Sequence, residues 1–589
     1  MKELKLKPEN HQKQTQTLKM SMSLDKNIIA IAVLSLFSFA GFSQEKELGT
    51  EVVEIIKPYS PSISDAFKIK EIPAATDTVS VKKKEVNYTI NSVPVASTFT
   101  PEKGKAANVE KAKKEKVYDN YARLGFGNYT TLLGELYSNF NISNEENVGF
   151  FFRHNSSQGK IKDALLDDKY YDTRLDANYA NNQQDFSYGF GVGVEHQLYN
   201  WYGVPKDLFS AQQLSEIDPA HSFFGGSLSG NIAFDNKYLD KARLKLRYLG
   251  DSYSSSEFQV TLKPEFSFPM DNLEIRVDAD VDYLAGSFDS NFEEPSSMNY
   301  GFFKAGVIPA IAFSQNDLSL SLGVGVYAGI DTKASESDFS FYPKVNASYR
   351  LDEAIIVYAG ADGGITQNSY YNFKEENPFV SPTLFIVPTK NVYEGFAGIK
   401  GTYQSRFGYN FKASYGKDEG RALFQLNQGI NPINAKGYHH NNSFHVVYDD
   451  VTTLSVFGEL QVTFSELFTL GVNANYFNYE TESKNPAWNL PSLTASVFGN
   501  FNITDAFYGG FSLFYVGERK DGVLTFGYDE IKLDGYADAN LHLGYRMNER
   551  LSFFLRGNNL FNDNYKKWVN YQVQGIQGMI GATYKFDWQ

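Results

Sequence analysis

Apolar and polar residues alternate along most of this chain, and that pattern is the first constraint on its shape. Residues 317–330 read Asp-Leu-Ser-Leu-Ser-Leu-Gly-Val-Gly-Val-Tyr-Ala-Gly-Ile. Leu318, Leu320, Leu322, Val324, Val326, Ala328 and Ile330 share one face, and Ser319, Ser321, Gly323, Gly325, Tyr327 and Gly329 share the other. Successive side chains of a strand point to opposite faces, so one face of this strand meets an apolar phase and the other a polar one. Elsewhere charges take the polar face. Arg243, Lys245 and Arg247 alternate with Leu244, Leu246 and Tyr248; Asp278, Asp280 and Asp282 alternate with Ala279 and Val281. A soluble sandwich also alternates, but its strands commonly run about 5–6 residues. Here the alternation persists for about 9–14, the length that crosses a bilayer at a tilt of about 45°. The polar face is therefore expected to line a lumen and the apolar face to meet outer-membrane lipid.

The breaks between these segments come in two kinds. Short polar ones fall at 143–146, 181–184, 236–240, 270–272, 315–317, 351–353, 405–407, 465–467, 504–506 and 547–550. Generally longer ones fall between them at 157–169, 201–221, 286–297, 331–337, 368–389, 417–450, 481–487, 521–529 and 563–570. Short periplasmic turns facing long outward loops are the pattern of an outer-membrane barrel, here of about 22 strands. The count treats 417–450 as one loop; a wall strand over 444–450 would shift it by about two. The fold expected is all-β, a large antiparallel transmembrane β-barrel over 117–589, and a barrel this wide is not filled by its own wall side chains.

The N-terminus reads differently. Lys26-Asn27 precedes the apolar run Ile28–Phe42, too short for a spanning helix, and Gly41-Phe42-Ser43 is a small-residue exit. Residues 1–43 are thus an N-terminal extension and signal peptide cleaved after Ser43, with Met20 or Met22 as the expected start. Residues 44–116 carry prolines at 58, 61 and 73, the run Lys82-Lys83-Lys84 and a basic stretch from Lys103 to Lys116. That composition suits an extended periplasmic arm rather than a packed core.

Composition adds limits. The chain has no cysteine, which excludes a disulfide framework and thiolate metal sites, and its net charge of −14 argues against nucleic acid as a partner. Tyr 39 and Phe 48 are abundant, and Phe266, Phe268, Phe313, Tyr476 and Phe477 read as interfacial girdles.

The run Asn558-Asn559-Leu560-Phe561-Asn562-Asp563-Asn564-Tyr565, then Gly575, Gly578 and Gly581, then Tyr584-Lys585-Phe586, resembles the closing hairpin of TonB-dependent receptors. The resemblance implies a 22-stranded outer-membrane barrel, solute uptake and a TonB-like energy transducer. It also implies that the terminal aromatics Tyr584, Phe586 and Trp588 are the signal read by the barrel assembly machinery. Two departures stand out. The step before the last strand is Gln574-Gly575-Ile576-Gln577 rather than a Pro-Gly-Arg-like one, and 44–116 is shorter than the family's globular plug, which is expected to be absent or vestigial here. Glu51, Val52, Val53, Glu54, Ile55 and Ile56 resemble a TonB-box-type segment.

Candidate chemistry is sparse. His439, His440, His445, Asp449 and Asp450 cluster in the segment 417–450 without the spacing of a defined metal motif, and no phosphate loop or His-Glu-x-x-His motif is present. No catalytic pair, cofactor site or metal site is expected. The ladders Arg243/Lys245/Arg247 and Asp278/Asp280/Asp282 either polarise a solute path or satisfy each other and stiffen the wall. Trp201-Tyr202, Trp488 and Tyr370-Tyr371 fall in or beside outward loops, where they could stack on a sugar or grip a partner. The reading is a transport barrel for an unspecified solute; the alternative is an outer-membrane scaffold whose arm binds other envelope proteins.

Overall fold

A computed structural model describes residues 118–588 apart from 160, 236–237, 271–272, 353, 405, 433, 466 and 525–527. The expected signal peptide, the arm and the Glu51–Ile56 run lie outside the described residues.

Alternating segments pair in chain order into one antiparallel sheet of 22 strands that closes on itself. The wall begins with β1 (Asn120–Gly127), β2 (Leu132–Asn141), β3 (Glu146–Ser157), β4 (Tyr170–Asn182), β5 (Phe186–Asn200), β6 (Ala220–Phe234), β7 (Leu239–Asp251) and β8 (Ser256–Met270). It continues through β9 (Leu273–Phe288), β10 (Met298–Gln315), β11 (Leu318–Asp331), β12 (Glu336–Asp352), β13 (Ile355–Thr366), β14 (Thr389–Tyr403), β15 (Phe407–Leu426) and β16 (Phe444–Ser465). After β17 (Phe468–Thr481), β18 (Leu493–Asn502) and β19 (Phe507–Val516), a hairpin of β20 (Arg519–Leu524) and β21 (Tyr528–Leu533) stands apart from the wall. The wall resumes with β22 (Tyr536–Arg546) and β23 (Leu551–Asn558), leaves it for the short hairpin β24 (Lys566–Trp568) and β25 (Tyr571–Gln572), and ends with β26 (Gln577–Phe586).

All ten short breaks are turns at one end of the barrel. At the other end, 127–132 and 251–256 also connect strands, although neither is long enough to stand out in the sequence. The segment 417–450 is a correction: half of it is strand. β15 continues to Leu426 and β16 starts at Phe444, paired Leu426↔Phe444, so the loop shrinks to 427–443. The two strands extend an existing hairpin rather than add a new one, and the count stays at 22.

The faces follow the alternation. Phe190, Val192 and Val194 of β5 are exposed on the outside, while Glu195 and Gln197 turn inward, where they meet Lys374. Closure joins the chain ends: β26 pairs with β1 from Asn120↔Phe586 to Gly127↔Met579, leaving no edge. Ala122–Phe126 lie beside Ile580–Phe586, with Ala122 opposite Tyr584 and Phe126 opposite Ile580. Gly581 is required here. A Cβ on it would lie 2.2 Å from the Phe554 ring and 2.3 Å from the Leu124 carbonyl oxygen, so only glycine lets the aromatic lie across the seam.

Because the chain has no native cysteine, the seam can be tested directly. The double variant Ala122→Cys/Tyr584→Cys should form a disulfide, and the boiled, non-reduced protein should migrate ahead of the reduced form in SDS gels. No cross-link, or an efficient one in Ala122→Cys/Thr583→Cys instead, would contradict this register.

Candidate functional site

The barrel mouth at the long-loop end is filled by its own loops. One hydrophobic core draws Ile161 from the β3–β4 loop, Trp201 and Tyr202 from β5–β6, Tyr370, Phe373, Phe379 and Leu384 from β13–β14, Tyr438 from β15–β16, and Trp568 and Tyr571 from β23–β26. Strand ends such as Phe223, Leu249 and Leu284 complete it. Trp201 is fully buried. Its indole donates to the Phe379 carbonyl at 3.1 Å, and its own carbonyl accepts from Asn442 at 2.8 Å. Phe379 stacks on Tyr571 at 3.6 Å, and the Tyr571 hydroxyl donates to the Asn442 carbonyl. Four loops far apart in sequence thus satisfy each other's buried polar groups, which would otherwise cost free energy. The β5–β6 loop also carries α1 (Ala211–Glu216), started by a Ser210/Gln213 capping box.

The deepest element is α2 (Tyr370–Glu376) in the β13–β14 loop. Ser369 is its N-cap, the hydroxyl accepting from Asn372 N at 3.1 Å. The wall supplies the rest of the cap: the Glu257 carboxylate of β8 accepts from Tyr370 N at 2.6 Å and Tyr371 N at 3.1 Å, placing negative charge at the positive end of the helix. Farther along, Lys374 is buried and donates to Glu195 and Glu375, each at 2.8 Å, and to Gln197. Arg174 of β4 reaches Glu375 at 3.2 Å, and the Arg247 guanidinium lies 3.9 Å from the Tyr371 ring centroid. The Tyr370 hydroxyl donates to Asp251 at 2.7 Å, and Asp251 lies 3.0 Å from His221. One seven-residue helix is therefore tied to β4, β5, β6, β7 and β8.

Burial alone would raise the Glu375 carboxyl, but Lys374 and Arg174 outweigh it and hold it below its usual range. Asp521 behaves in the opposite way. Burial pushes its carboxyl up to about 6, although Asn489, Leu426 N and Gly522 N all donate to it. Burial, with His440 beside it, lowers His439 to about 4.

The residues singled out in the sequence are distributed as follows. The two charge ladders do not touch; β8 stands between them. Arg247 donates to Gln259, and Gln259 donates to Asp282 at 2.8 and 3.0 Å. Arg243 pairs with Glu265 at 2.8 Å, and Asp280 with Lys304 at 2.8 Å. Lys245 is exposed, and Asp278 lies on the same face of β9 as Asp280 and Asp282. Tyr584 is exposed on the outer face, and the Trp588 indole donates to Ser138 at 2.7 Å. The five histidines and aspartates of 417–450 do not converge. His439 Nδ1 accepts from Lys436 N, Asp449 accepts from Ser483, and no group of three metal-ligating side chains forms among the described residues. Two further readings are corrected. Phe477 belongs to the lumen wall rather than a lipid girdle, lining a cavity there. Trp201 and Tyr370 are not displayed for a partner; both are buried in the cap. The sequence carried one signal of that cap: the stretch PFVSPTLFIVP at 378–388 is too apolar for an exposed loop.

The family profile described as "TonB dependent receptor-like, beta-barrel" matches residues 117–560. No curated protein matches the sequence. Solved structures share the fold. The FrpB iron transporter from Neisseria meningitidis superposes with a TM-score of 0.63 at 10% identity, covering 80% of this chain and 83% of that one. The ferric-catecholate import receptor Fiu from E. coli K12, in its closed form, gives 0.59 at 13% identity over 80% and 82%. FpvA from P. aeruginosa bound to heterologous pyoverdines gives 0.60 at 12% identity over 80% and 72%. At such identities the likeness is one of fold.

Two outcomes test the cap. Lys374→Met removes the cation from Glu195 and leaves Glu375 with Arg174, a change at the low end of the about 3–5 kcal/mol typical of broken buried pairs. Limited proteolysis should then cut within 366–389 much faster than in the wild type while the wall stays resistant. Asp521 has a carboxyl raised in the folded state, so its contribution is fully present at low pH and is lost as pH rises through about 6. His439, lowered, works in the opposite sense below its ordinary range, so the informative quantity is the difference between wild type and Asp521→Asn. The wild type should gain about 2–3 kcal/mol on the variant between pH 7 and pH 4. A difference independent of pH would rule out that assignment.

Proposed function

Because this chain belongs to the TonB-dependent receptor-like β-barrel family, we propose that it imports a solute across the outer membrane through a lumen gated by its own loops. The observation that carries the gating is α2, held inside the mouth by Lys374 between Glu195 and Glu375. FrpB is described as an iron transporter and Fiu as an import receptor, which supports inward traffic as the task of this barrel as well. In this reading the long-loop end faces outward and receives the solute. The short-turn end faces the periplasm, where the arm 44–116 and its Glu51–Ile56 run engage a TonB-like transducer that supplies the work of opening. Gating by loops suits a chain whose arm, as read from its sequence, stands in for a reduced plug.

The charge ladders are then wall braces, each held through β8 or β10, and not a track for ions. The terminal Tyr584, Phe586 and Trp588 serve assembly: Tyr584 on the last strand and Trp588 just beyond it are exposed, where the folding machinery can meet them. The competing reading, a scaffold for other envelope proteins, draws on the density of the cap, which a permanently shut barrel would also have.

Deleting Glu51–Ile56 should abolish energised uptake while leaving the amount of protein in the outer membrane unchanged. Candidate cargo can be found by comparing labelled solutes in cells with and without the protein. Uptake that survives the deletion would remove the transducer from the mechanism. Stoichiometric co-purification with envelope proteins, without any uptake, would favour the scaffold.

A further inference from the structure

Below the β13–β14 loop, the lumen wall from β11 to β17 holds a cavity of about 440 Å³, within the usual range of small-molecule sites. Its charged walls are neutral in sum. Lys344 is paired with Asp362; Arg421 with Asp418 at 3.3 Å; and Glu394 with Lys412, just outside the lining, at 3.0 Å. An ionic ligand would have to break one of these pairs to gain a partner. A neutral polyhydroxylated one would not, because paired ions still offer unused lone pairs and N–H donors.

One side of the cavity is aromatic. The Phe477 and Tyr479 rings lie 5.6 Å apart with planes 13° from parallel, and the Arg421 guanidinium sits 5.5 Å from the Tyr479 centroid. The open surface of this stepped tile offers apolar contact to the C–H groups of a sugar ring, while hydroxyls at the ring's rim meet the paired ions. The space is open at Gly364, where an added Cβ would come no closer than 3.8 Å to the Tyr327 hydroxyl and 3.9 Å to Lys344 Nζ. A Cβ at that position therefore meets only ordinary van der Waals contacts, and the position lines the cavity.

We propose that this cavity is a binding site for a neutral sugar of one or two rings. The claim that the sugar is cargo rests on the transport reading above; the claim that it binds here does not.

The test uses the full-length protein in a detergent without a sugar headgroup and equilibrium dialysis against radiolabelled maltose, cellobiose and sucrose. Gluconate and glucosamine serve as anionic and cationic controls. At least one neutral sugar should be retained, more strongly than either control. Tyr479→Ala, which removes part of the tile, and Gly364→Leu, which fills the space, should each weaken binding about tenfold or more. Both variants should keep the heat-modifiable gel mobility of a closed barrel. Retention of none of the three sugars, preference for a charged control, or affinity unchanged in both folded variants would overturn the site. Sugar binding that both variants abolish, in cells that take up no sugar, would support the site and reject the transport reading. Uptake of another solute without sugar binding would do the reverse.

Discussion

Inside hydrocarbon every backbone N–H and C=O must find a partner within the protein, and the rest of this structure depends on how that requirement is met. The pairing of β26 with β1 meets it for the last open edge. Once the sheet closes, the pleat assigns each residue to lipid or lumen, and the alternation seen at Leu318–Ile330 becomes a physical boundary rather than a pattern. The same closure creates the difficulty that the loops answer. A ring of 22 strands encloses more space than its inward side chains can fill.

The mouth is filled from one side of the chain's rhythm. Turns at one end are short and, among the described residues, supply none of the cap's core, whereas the loops at the other end carry the aromatic residues that make the cap. The cap is not an independent core resting on the barrel. Glu257 caps α2 from the wall, and Asp251 and Arg247 of β7 and Glu195 of β5 reach it from two further strands. Polar wall positions that in the sequence suggest a wetted channel are, near the mouth, ligands of a docked helix.

The strand faces, the closing seam and the ten short turns were legible because each depends on a local period of two or on a few turn residues. The segment Arg421–Leu426 was not, for a physical reason: there the end of β15 is covered on both faces, so Ala422, Leu423 and Phe424 follow one another without alternation. The cap was illegible for a different reason. Its contacts join Trp201 to Phe379 and Tyr571 to Asn442, residues separated by more than a hundred positions, and no local pattern records such a partnership. Phe477 was misplaced because an aromatic near a strand end looks the same on either face until the register is known.

The capping of α2 by Glu257 has a consequence for how the mouth opens. A helix of seven residues is well below the length of about 12–15 at which isolated helices become even marginal in water. Its hydrogen-bonded shape is therefore borrowed from the wall. Drawn away from Glu257 and Lys374's partners, it would not swing aside as a rigid door but dissolve into coil. The chain entropy released on melting offsets part of the lost contacts, so opening would be favoured by warmth.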